Sequence, residues 1–230
     1  MKVREELRAG RYQRDRELVR LIGRHGAMTI EQVMRAMGCG RTATYRRFAR
    51  CESGGLVERC PIPGLESSVL RATREGLRYA GLGLPVAAIS PATVGHMVRC
   101  TSAALHVGER VGHERVLTER EILFEEQIRG KPLASVRVGM FRGQPRVHRA
   151  DIALLSDSGT IAIEVELTPK APARLRQIVR AWLMAIHSGA VSEVHYLCAP
   201  GQTFRAVERA VLGAGAKGHI AVLDVGEVSS

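Results

Sequence analysis

The chain has 230 residues, of which 45% are hydrophobic and 25% charged, and these values exclude a disordered or fibrous protein. Its 34 basic and 23 acidic side chains leave a net charge of +11, which favours a polyanionic partner, nucleic acid first and an acidic membrane second. No segment approaches the roughly 18–20 apolar residues of a membrane span. The charged N-terminal segment also lacks an apolar signal core, so we expect a cytoplasmic protein with no membrane partner.

The positive charge is concentrated in the first third of the chain. Residues 1–80 carry 17 basic and 9 acidic side chains (17 − 9 = +8), whereas residues 81–230 carry 17 and 14 (17 − 14 = +3). Gly and Pro interrupt the hydrophobic pattern near residue 84. We therefore predict two domains, 1–84 and 111–230, joined by a linker or dimer helix over 85–110.

The first domain begins with a predicted helix over 14–24, which ends at His25-Gly26. Thr29 is placed to cap a second helix, and Gly38-Cys39-Gly40 forms a turn before a third helix from about Arg41 to Glu52. Its apolar residues Ala43, Phe48 and Ala49 are expected to face inward. Two helices, a short turn and a basic helix are typical of a helix-turn-helix motif, whose last helix enters the major groove of DNA.

Two short strands follow, over about 54–59 and 68–72, around a turn at Pro61-Ile62-Pro63-Gly64. Thr73 then caps a short helix, and this order resembles a winged helix-turn-helix domain. The alternative is that the Arg-rich helix is only a solvated face. If it binds DNA, seven of its side chains are the predicted contacts: Arg41, Thr42, Thr44, Tyr45, Arg46, Arg47 and Arg50.

A helix is predicted over 91–110, with an apolar stripe of Val94, Met97, Val98 and Leu105. This stripe favours a linker or homodimer helix over a ligand site. His96 and Cys100 lie one turn apart, but a metal site there would need further ligands.

A hairpin with three carboxylates is the main feature of the second domain. Asp151 begins a strand, an Asp-Ser-Gly turn follows, and the return strand contains Glu164 and Glu166 on one face. A loop of Asp157 and Ser158 would place Asp151 opposite Glu164, and a shift of one residue would place it opposite Glu166. Either register brings three like charges together, which destabilises a sheet unless a cation, a raised carboxyl pKa or a nearby Lys or Arg compensates.

Lys170, one of four lysines in the chain, lies just beyond the second strand. An amphipathic helix, a strand over 191–198, a helix from Gln202 and a last strand over 219–223 complete the domain. A further helix precedes the hairpin and opens at Thr118, with Glu121 as its capping partner. These elements predict an α/β domain around a mixed sheet.

The element order, with D-x(12)-E-x-E and a nearby Lys, resembles the PD-(D/E)XK restriction-endonuclease-like fold. A winged helix joined to "R-A-D … I-A-I-E-V-E-L-T-P-K" looks more specifically like the replication-relaxation family, over about 200 residues. That resemblance implies a DNA-binding protein of a plasmid or other mobile element, acting in replication or mobilisation, with a possible partner protein from that element.

The resemblance also implies the roles of the site residues. Asp151 and Glu164 match the metal-binding carboxylates, which would hold Mg²⁺ or Mn²⁺ in a nuclease. The usual lysine of the motif falls on Glu166. Lys170 is placed to reach back from the next turn, and Glu119 would supply a further helix carboxylate. The alternatives left open are a metal-dependent endodeoxyribonuclease, a non-catalytic DNA-binding module without a cofactor, and a transcription regulator.

Overall fold

The computed structural model describes residues 2–63 and 68–225, with side chains from residue 12 onward and at residue 10. It is a mixed α/β structure that divides into two units, Met1–Thr101 and Ser102–Ser230. The division falls within a long helix, Pro91–Val111, which contains the helix predicted over 91–110.

Unit 1 contains three helices, a small hairpin and a fourth helix before the long one. In chain order these are α1 (Lys2–His25), α2 (Ile30–Met37), α3 (Arg41–Ser53), β1 (Val57–Cys60), β2 (Val69–Ala72), α4 (Arg74–Ala80) and α5 (Pro91–Val111). The first helix ends at His25 as predicted, although it begins well before residue 14. The predicted turn at 61–64 includes Gly64, which lies outside the described residues.

The local signals of unit 1 determine where its helices begin. The Thr29 side chain accepts a hydrogen bond from the Gln32 amide at 3.3 Å, and Gln32 Oε1 accepts one from the Thr29 amide at 2.9 Å, so a capping box starts α2. Gln32 Nε2 also donates to the Val98 carbonyl of α5 at 2.7 Å. Thr73 caps α4 by accepting from the Gly76 amide at 3.0 Å.

Gly76 allows the closest backbone contact in this unit. A Cβ at that position would lie 1.9 Å from the Leu56 carbonyl oxygen, so no larger residue fits without moving β1 away from α4. The hairpin gains a third partner because Met28 pairs with Leu70 in an isolated antiparallel bridge. Leu18, Ile22 and Phe48 are fully buried in this unit.

The apolar stripe of α5 is partly used within unit 1. Val94 is 2% exposed and belongs to a cluster with Ala27 and Val69, against which Met97 and Val98 pack. This part of the stripe therefore stabilises the single chain, whereas the sequence suggested a linker or dimer contact.

Unit 2 is built on a five-stranded sheet in the order β3-β6-β7-β8-β9, with a separate two-stranded β4-β5 hairpin. The β3-β6 and β6-β7 pairs are antiparallel, and the β7-β8 and β8-β9 pairs are parallel. Its elements are β3 (Val116–Thr118), α6 (Glu119–Arg129), β4 (Ser135–Phe141), β5 (Gln144–Arg149), β6 (Ile152–Ser156), β7 (Gly159–Glu166), α7 (Pro172–His187), β8 (Glu193–Cys198), α8 (Gln202–Gly213) and β9 (Ile220–Asp224). The mixed sheet is as predicted, whereas the short edge strand β3 was missed.

Helices α7 and α8 supply much of the core of unit 2. Trp182 is fully buried in a cluster that contains Ile178 of α7, Val207 of α8 and Ala162 and Tyr196 of the sheet. Residues at 162, 164 and 166 share one face of β7, because side chains alternate along a strand. The carboxylates of Glu164 and Glu166 therefore lie on the same face of the sheet as this core.

Candidate functional site

The basic helix α3 has an outer face formed by Arg41, Thr42, Tyr45 and Arg46, which we call the α3 outer face. Arg41, Thr42 and Arg46 are exposed, and Tyr45 is half-buried. The guanidinium of Arg41 lies 5.6 Å from the centre of the Tyr45 ring, a cation–π distance. Because they are at the surface, these side chains are accessible to the phosphates or base edges of a nucleic acid.

Two of the residues predicted to contact DNA, Arg47 and Arg50, bind Asp15 of α1 in the structure. Arg50 donates to both carboxylate oxygens of Asp15, at 2.7 and 3.2 Å, and Arg47 Nε lies 3.5 Å from the same carboxylate. Arg47 is buried, and its Nη1 also donates to Cys39 Sγ at 3.5 Å. The bidentate contact with Asp15 raises the pKa of Arg50, chiefly through the hydrogen bond.

The inward face of α3 differs from the predicted one. Phe48 is fully buried as expected, but Ala43 and Ala49 are exposed, so their predicted inward orientation is wrong. Thr44 is fully buried instead, and its hydroxyl donates to the Gly40 carbonyl at 3.2 Å. The rotation of the helix about its axis decides which side chains face the core. A threonine can be buried there at little cost in free energy when its hydroxyl is hydrogen-bonded to the backbone.

In unit 2, the β6–β7 register is the first of the two that the sequence allowed. Ser156 pairs with Gly159 and Ile152 pairs with Ile163, so Asp151 directly precedes the paired residues and lies at the level of Glu164. Asp151 Oδ2 accepts a hydrogen bond from the Val165 amide at 2.7 Å. We call Asp151, Glu164 and Glu166 the carboxylate cluster.

Glu164 is almost completely buried and has two side-chain donors. It is 2% exposed, and its Oε1 lies 2.8 Å from His148 Nε2 and accepts from Trp182 Nε1 at 2.9 Å. A buried carboxylate needs such donors, because burial of an unpaired charge costs several kcal/mol, on the order of 3–5. His148 and Trp182 therefore determine which way this carboxylate points.

Glu166 is compensated by the lysine that follows its strand. Lys170 Nζ donates to Glu166 Oε2, so this lysine reaches back from beyond the strand end to the carboxylate cluster. Burial raises the pKa of Glu166, the Lys170 charge opposes that rise, and the charges of Glu164 and Asp151 add to it. Two of the three compensations that the sequence allowed are thus present together: a raised carboxyl pKa at Glu166 and a nearby lysine, Lys170.

Glu119 and Glu121 have different positions at the start of α6. Glu121 accepts from the Thr118 amide at 3.0 Å and completes the predicted capping box. Glu119 is exposed in the first turn of the helix.

Tyr196 contributes a polar group to the cluster that the sequence analysis missed. It pairs with Glu164 across the parallel β7–β8 ladder and shares its face of the sheet. Its hydroxyl is buried and has no hydrogen-bond partner in the described part of the chain. Burial, and after it the charge of Glu164, raises the pKa of Tyr196 well above its usual value. Nothing in the sequence reveals the neighbour of Glu164 on β8, because the register of two strands joined through a helix is decided in three dimensions.

The donor set suits a small divalent cation. Hard cations such as Mg²⁺ and Mn²⁺ prefer carboxylate oxygens, and the cluster presents three carboxylates beside an unpartnered buried hydroxyl. A bound ion or its water would give the Tyr196 hydroxyl the partner that it lacks among the described residues.

Comparison with known proteins identifies no relative: no family model matches, and neither a curated protein nor a solved structure matches. Among the helices in the described ranges, none combines the length and apolar character needed to cross a membrane.

Proposed function

We propose that this chain is a DNA-binding protein whose unit 1 is a winged helix-turn-helix domain with α3 as its recognition helix. The observation that carries this proposal is that the arginines of α3 have two different environments. Arg47 and Arg50 form ion pairs with Asp15 of α1, which hold α3 on α1, while Arg41 and Arg46 are exposed on the helix surface. A fixed helix with an exposed basic face is what major-groove recognition requires.

The hairpin and the Met28–Leu70 bridge support the same proposal. A β-hairpin directly after the recognition helix is the wing of a winged-helix domain, and β1 and β2 follow α3 in this way. Met28, which precedes α2, pairs with the hairpin as a third partner. The concentration of positive charge in residues 1–80 adds the nonspecific attraction to phosphates on which such domains depend.

A double substitution tests the role of α3. Arg41→Gln with Arg46→Gln in the full chain should weaken duplex binding in a fluorescence anisotropy titration. If both contact phosphates, the slope of log K against log salt should fall by about 1.8, which is twice the 0.9 expected for each. The matched control is Arg78→Gln with Arg129→Gln, which removes two exposed arginines from ion pairs on α4 and α6. Equal loss in both variants would show that net charge, and not α3, drives binding.

We further propose that unit 2 has a PD-(D/E)XK-like arrangement and is a candidate metal-dependent DNA nuclease. Asp151 precedes β6, Glu164 and Glu166 lie on β7, and Lys170 reaches back to the strand end. The succession of α6, an antiparallel hairpin, α7 and parallel β8 agrees with that fold. The resemblance to the replication-relaxation family supports a role in plasmid replication or mobilisation.

Asp151 and Glu164, with Glu166, would hold Mg²⁺ or Mn²⁺ in such a nuclease. When bound, the ion would supply an activated water and charge stabilisation at a phosphodiester. Within the chain, His148 and Trp182 orient Glu164, and the Val165 amide orients Asp151. Lys170 opposes the rise that burial causes in the pKa of Glu166.

One observation favours the non-catalytic alternative. Glu164 is 2% exposed and already accepts two hydrogen bonds, while Glu166 is paired with Lys170. A cluster compensated in this way can remain as a buried structural element of a DNA-binding module or transcription regulator without any cofactor.

Calorimetric titration of Mn²⁺ separates these two functions. A nuclease should bind Mn²⁺ in the wild type and lose binding in Asp151→Ala, and should cleave supercoiled or single-stranded DNA only with the ion present. If the wild type neither binds Mn²⁺ nor cleaves DNA when both are present, the result favours the non-catalytic DNA-binding module. The oligomeric state, measured by light scattering in the same samples, tests the homodimer.

A further inference from the structure

The β4–β5 hairpin carries two exposed apolar side chains next to its turn. Met140 is 67% exposed and Phe141 is 61% exposed. The two turn residues, Arg142 and Gly143, have φ values of +49° and +77°, the left-handed values that a tight type I′ turn requires at both central positions. The Arg142 guanidinium lies 5.4 Å from the centre of the Phe141 ring. The hairpin therefore presents an aromatic ring and a cation to solvent on a stiff turn.

An arginine-rich surface of α7 is the second part of this region. Arg176 and Arg180 are exposed, Arg174 is half-buried, and Arg146 of β5 is exposed. Among the described residues, none of these four arginines forms an ion pair with a carboxylate. Burial lowers the pKa of Arg174 and the charge of nearby Arg146 lowers it further, so two like charges are held close together.

The hairpin and α7 are adjacent. A Cβ on Gly139 of β4 would come within 2.9 Å of Gln177 Nε2, so the hairpin backbone lies directly against the helix. An open groove of about 500 Å³ beside it is lined by Arg174, Arg176, Gln177 and Arg180. We call the surface formed by Phe141, Arg146, Arg174, Arg176 and Arg180 the hairpin–helix face; Met140 pairs with Pro145 and lies on the other face of the hairpin.

This face continues toward the carboxylate cluster. Arg176 also lines a second cavity of about 300 Å³, which it shares with Lys170 and with Arg209 of α8. Lys170 is the residue that contacts Glu166. Arginines of α7 and α8 thus extend from the groove to the lysine at the end of β7.

We propose that the hairpin–helix face is a second nucleic-acid-binding surface, separate from α3, and that it binds an unpaired strand. Like-charged guanidinium groups held together without carboxylates are stabilised by a polyanion, and a row of them matches a phosphate backbone. The exposed Phe141 ring, with Arg142 beside it, is suited to stacking on an unpaired base, whereas the bases of a duplex are already stacked on one another.

The inference deepens the proposed function, because it rests on unit 2 acting on nucleic acid and names the unpaired strand as its substrate class. Binding to this face needs neither α3 nor cleavage. An acidic protein partner is the main competing occupant, since guanidinium groups also bind carboxylates. The aromatic contribution distinguishes the two occupants.

The test is an anisotropy titration of the full chain with fluorescein-labelled oligothymidylate and with a duplex of the same length. Arg176→Gln with Arg180→Gln should weaken oligothymidylate binding and lower its salt slope by about 1.4, twice the single-strand value of 0.7. The matched control, Arg115→Gln with Lys217→Gln, also removes two exposed cations from unit 2. Arg115 lies near the β6–β7 turn, and Lys217 lies near the starts of β8 and β9. Both are therefore at the end of the sheet where β7 begins, whereas Lys170 is at the end where β7 stops.

A second pair of variants tests the ring. Phe141→Leu keeps an apolar side chain but removes the π face, and should weaken oligothymidylate binding at least about fivefold if one base stacks there. Met140→Leu, on the neighbouring residue, should change it less than twofold. Circular dichroism of each variant confirms that the hairpin variants remain folded.

The outcomes separate this inference from the proposed function. Duplex binding lost in the α3 variant, with oligothymidylate binding retained there but lost in the α7 variant, supports both. The inference is overturned if the wild type does not bind oligothymidylate, or if the α7 variant and its control bind it equally. The role of α3 is still tested in that case, by duplex binding. Displacement of the oligothymidylate by polyglutamate at equal charge, with no effect of Phe141→Leu, overturns it in favour of an acidic protein partner.

Discussion

The unpartnered hydroxyl of Tyr196 gives a quantitative prediction for the carboxylate cluster. Tyr196→Phe removes one oxygen and retains the ring, so it creates almost no cavity in the core that contains Trp182. A buried hydroxyl without a partner costs about 1–3 kcal/mol. In metal-free buffer, the substitution should therefore raise the free energy of unfolding of unit 2 by about 1–3 kcal/mol, although most core substitutions destabilise.

Urea denaturation followed by tryptophan fluorescence measures this change. Trp182 is the single tryptophan of the chain and is fully buried in unit 2, so its emission reports on that unit. With an m-value of about 2 kcal/mol/M, the midpoint should rise by about 0.5–1.5 M. The control is Tyr79→Phe in α4, whose hydroxyl donates to the Tyr12 carbonyl at 3.3 Å and which should not raise this midpoint.

Addition of Mn²⁺ gives the same experiment a second readout. If an ion at the cluster provides the hydroxyl with a partner, the wild type should gain more stability from Mn²⁺ than Tyr196→Phe does, and the difference between them should shrink. A loss of 1 kcal/mol or more in metal-free Tyr196→Phe would refute the reasoning, because it would show that the hydroxyl makes a stabilising hydrogen bond.

Three further predictions concern the same unit. Trp182→Phe should cost about 2–4 kcal/mol by urea denaturation with circular dichroism, since it removes an indole donor from buried Glu164 and leaves a smaller ring in the core; a cost under 1 kcal/mol would contradict the role of that donor. Lys170→Met should lose more stability at pH 8 than at pH 5. Burial raises the folded-state pKa of Glu166 above its unfolded value, so the folded protein binds more protons between the two values and its stability falls as pH rises. Removal of Lys170 raises the folded-state pKa further and so makes this fall in stability larger. An equal loss of stability at pH 5 and pH 8 would refute this account. Cys198, whose pKa burial raises to about 12, should resist thiol reagents at pH 8 until urea unfolds the unit, whereas rapid labelling of the native protein would contradict its burial.

Much of the local structure could be predicted because it depends on residues close together in the chain. The capping boxes at Thr29 and Thr118 join residues three apart, and the Asp-Ser-Gly turn limited the β6–β7 hairpin to two registers, of which the structure has the one that pairs Ser156 with Gly159. Such contacts are determined by backbone geometry and need no knowledge of the rest of the fold. For the same reason, the shared face of Glu164 and Glu166 could be predicted from strand alternation alone.

Contacts between distant segments could not be predicted in this way. The rotation of α3 buried Thr44 and exposed Ala43, because Asp15 of α1, far away in sequence, binds buried Arg47 and the partly exposed Arg50. Hydrophobicity alone favours alanine over threonine at a buried position, so the composition of the helix pointed the wrong way. Only the packing of α1 on α3 decides which arginines remain exposed.

By itself, the sequence determined that this is a basic α/β protein with an arginine-rich helix in its first third and three carboxylates on one hairpin face. These properties follow from composition and from periods of two and 3.6 residues along the chain. The tertiary structure decided that His148 and Trp182 converge on Glu164, that Tyr196 lies beside it without a partner, and that the β4–β5 hairpin lies against α7. Each of these contacts joins elements separated by a turn or a helix, and their register and approach are set by how the core packs, a property that no local pattern encodes.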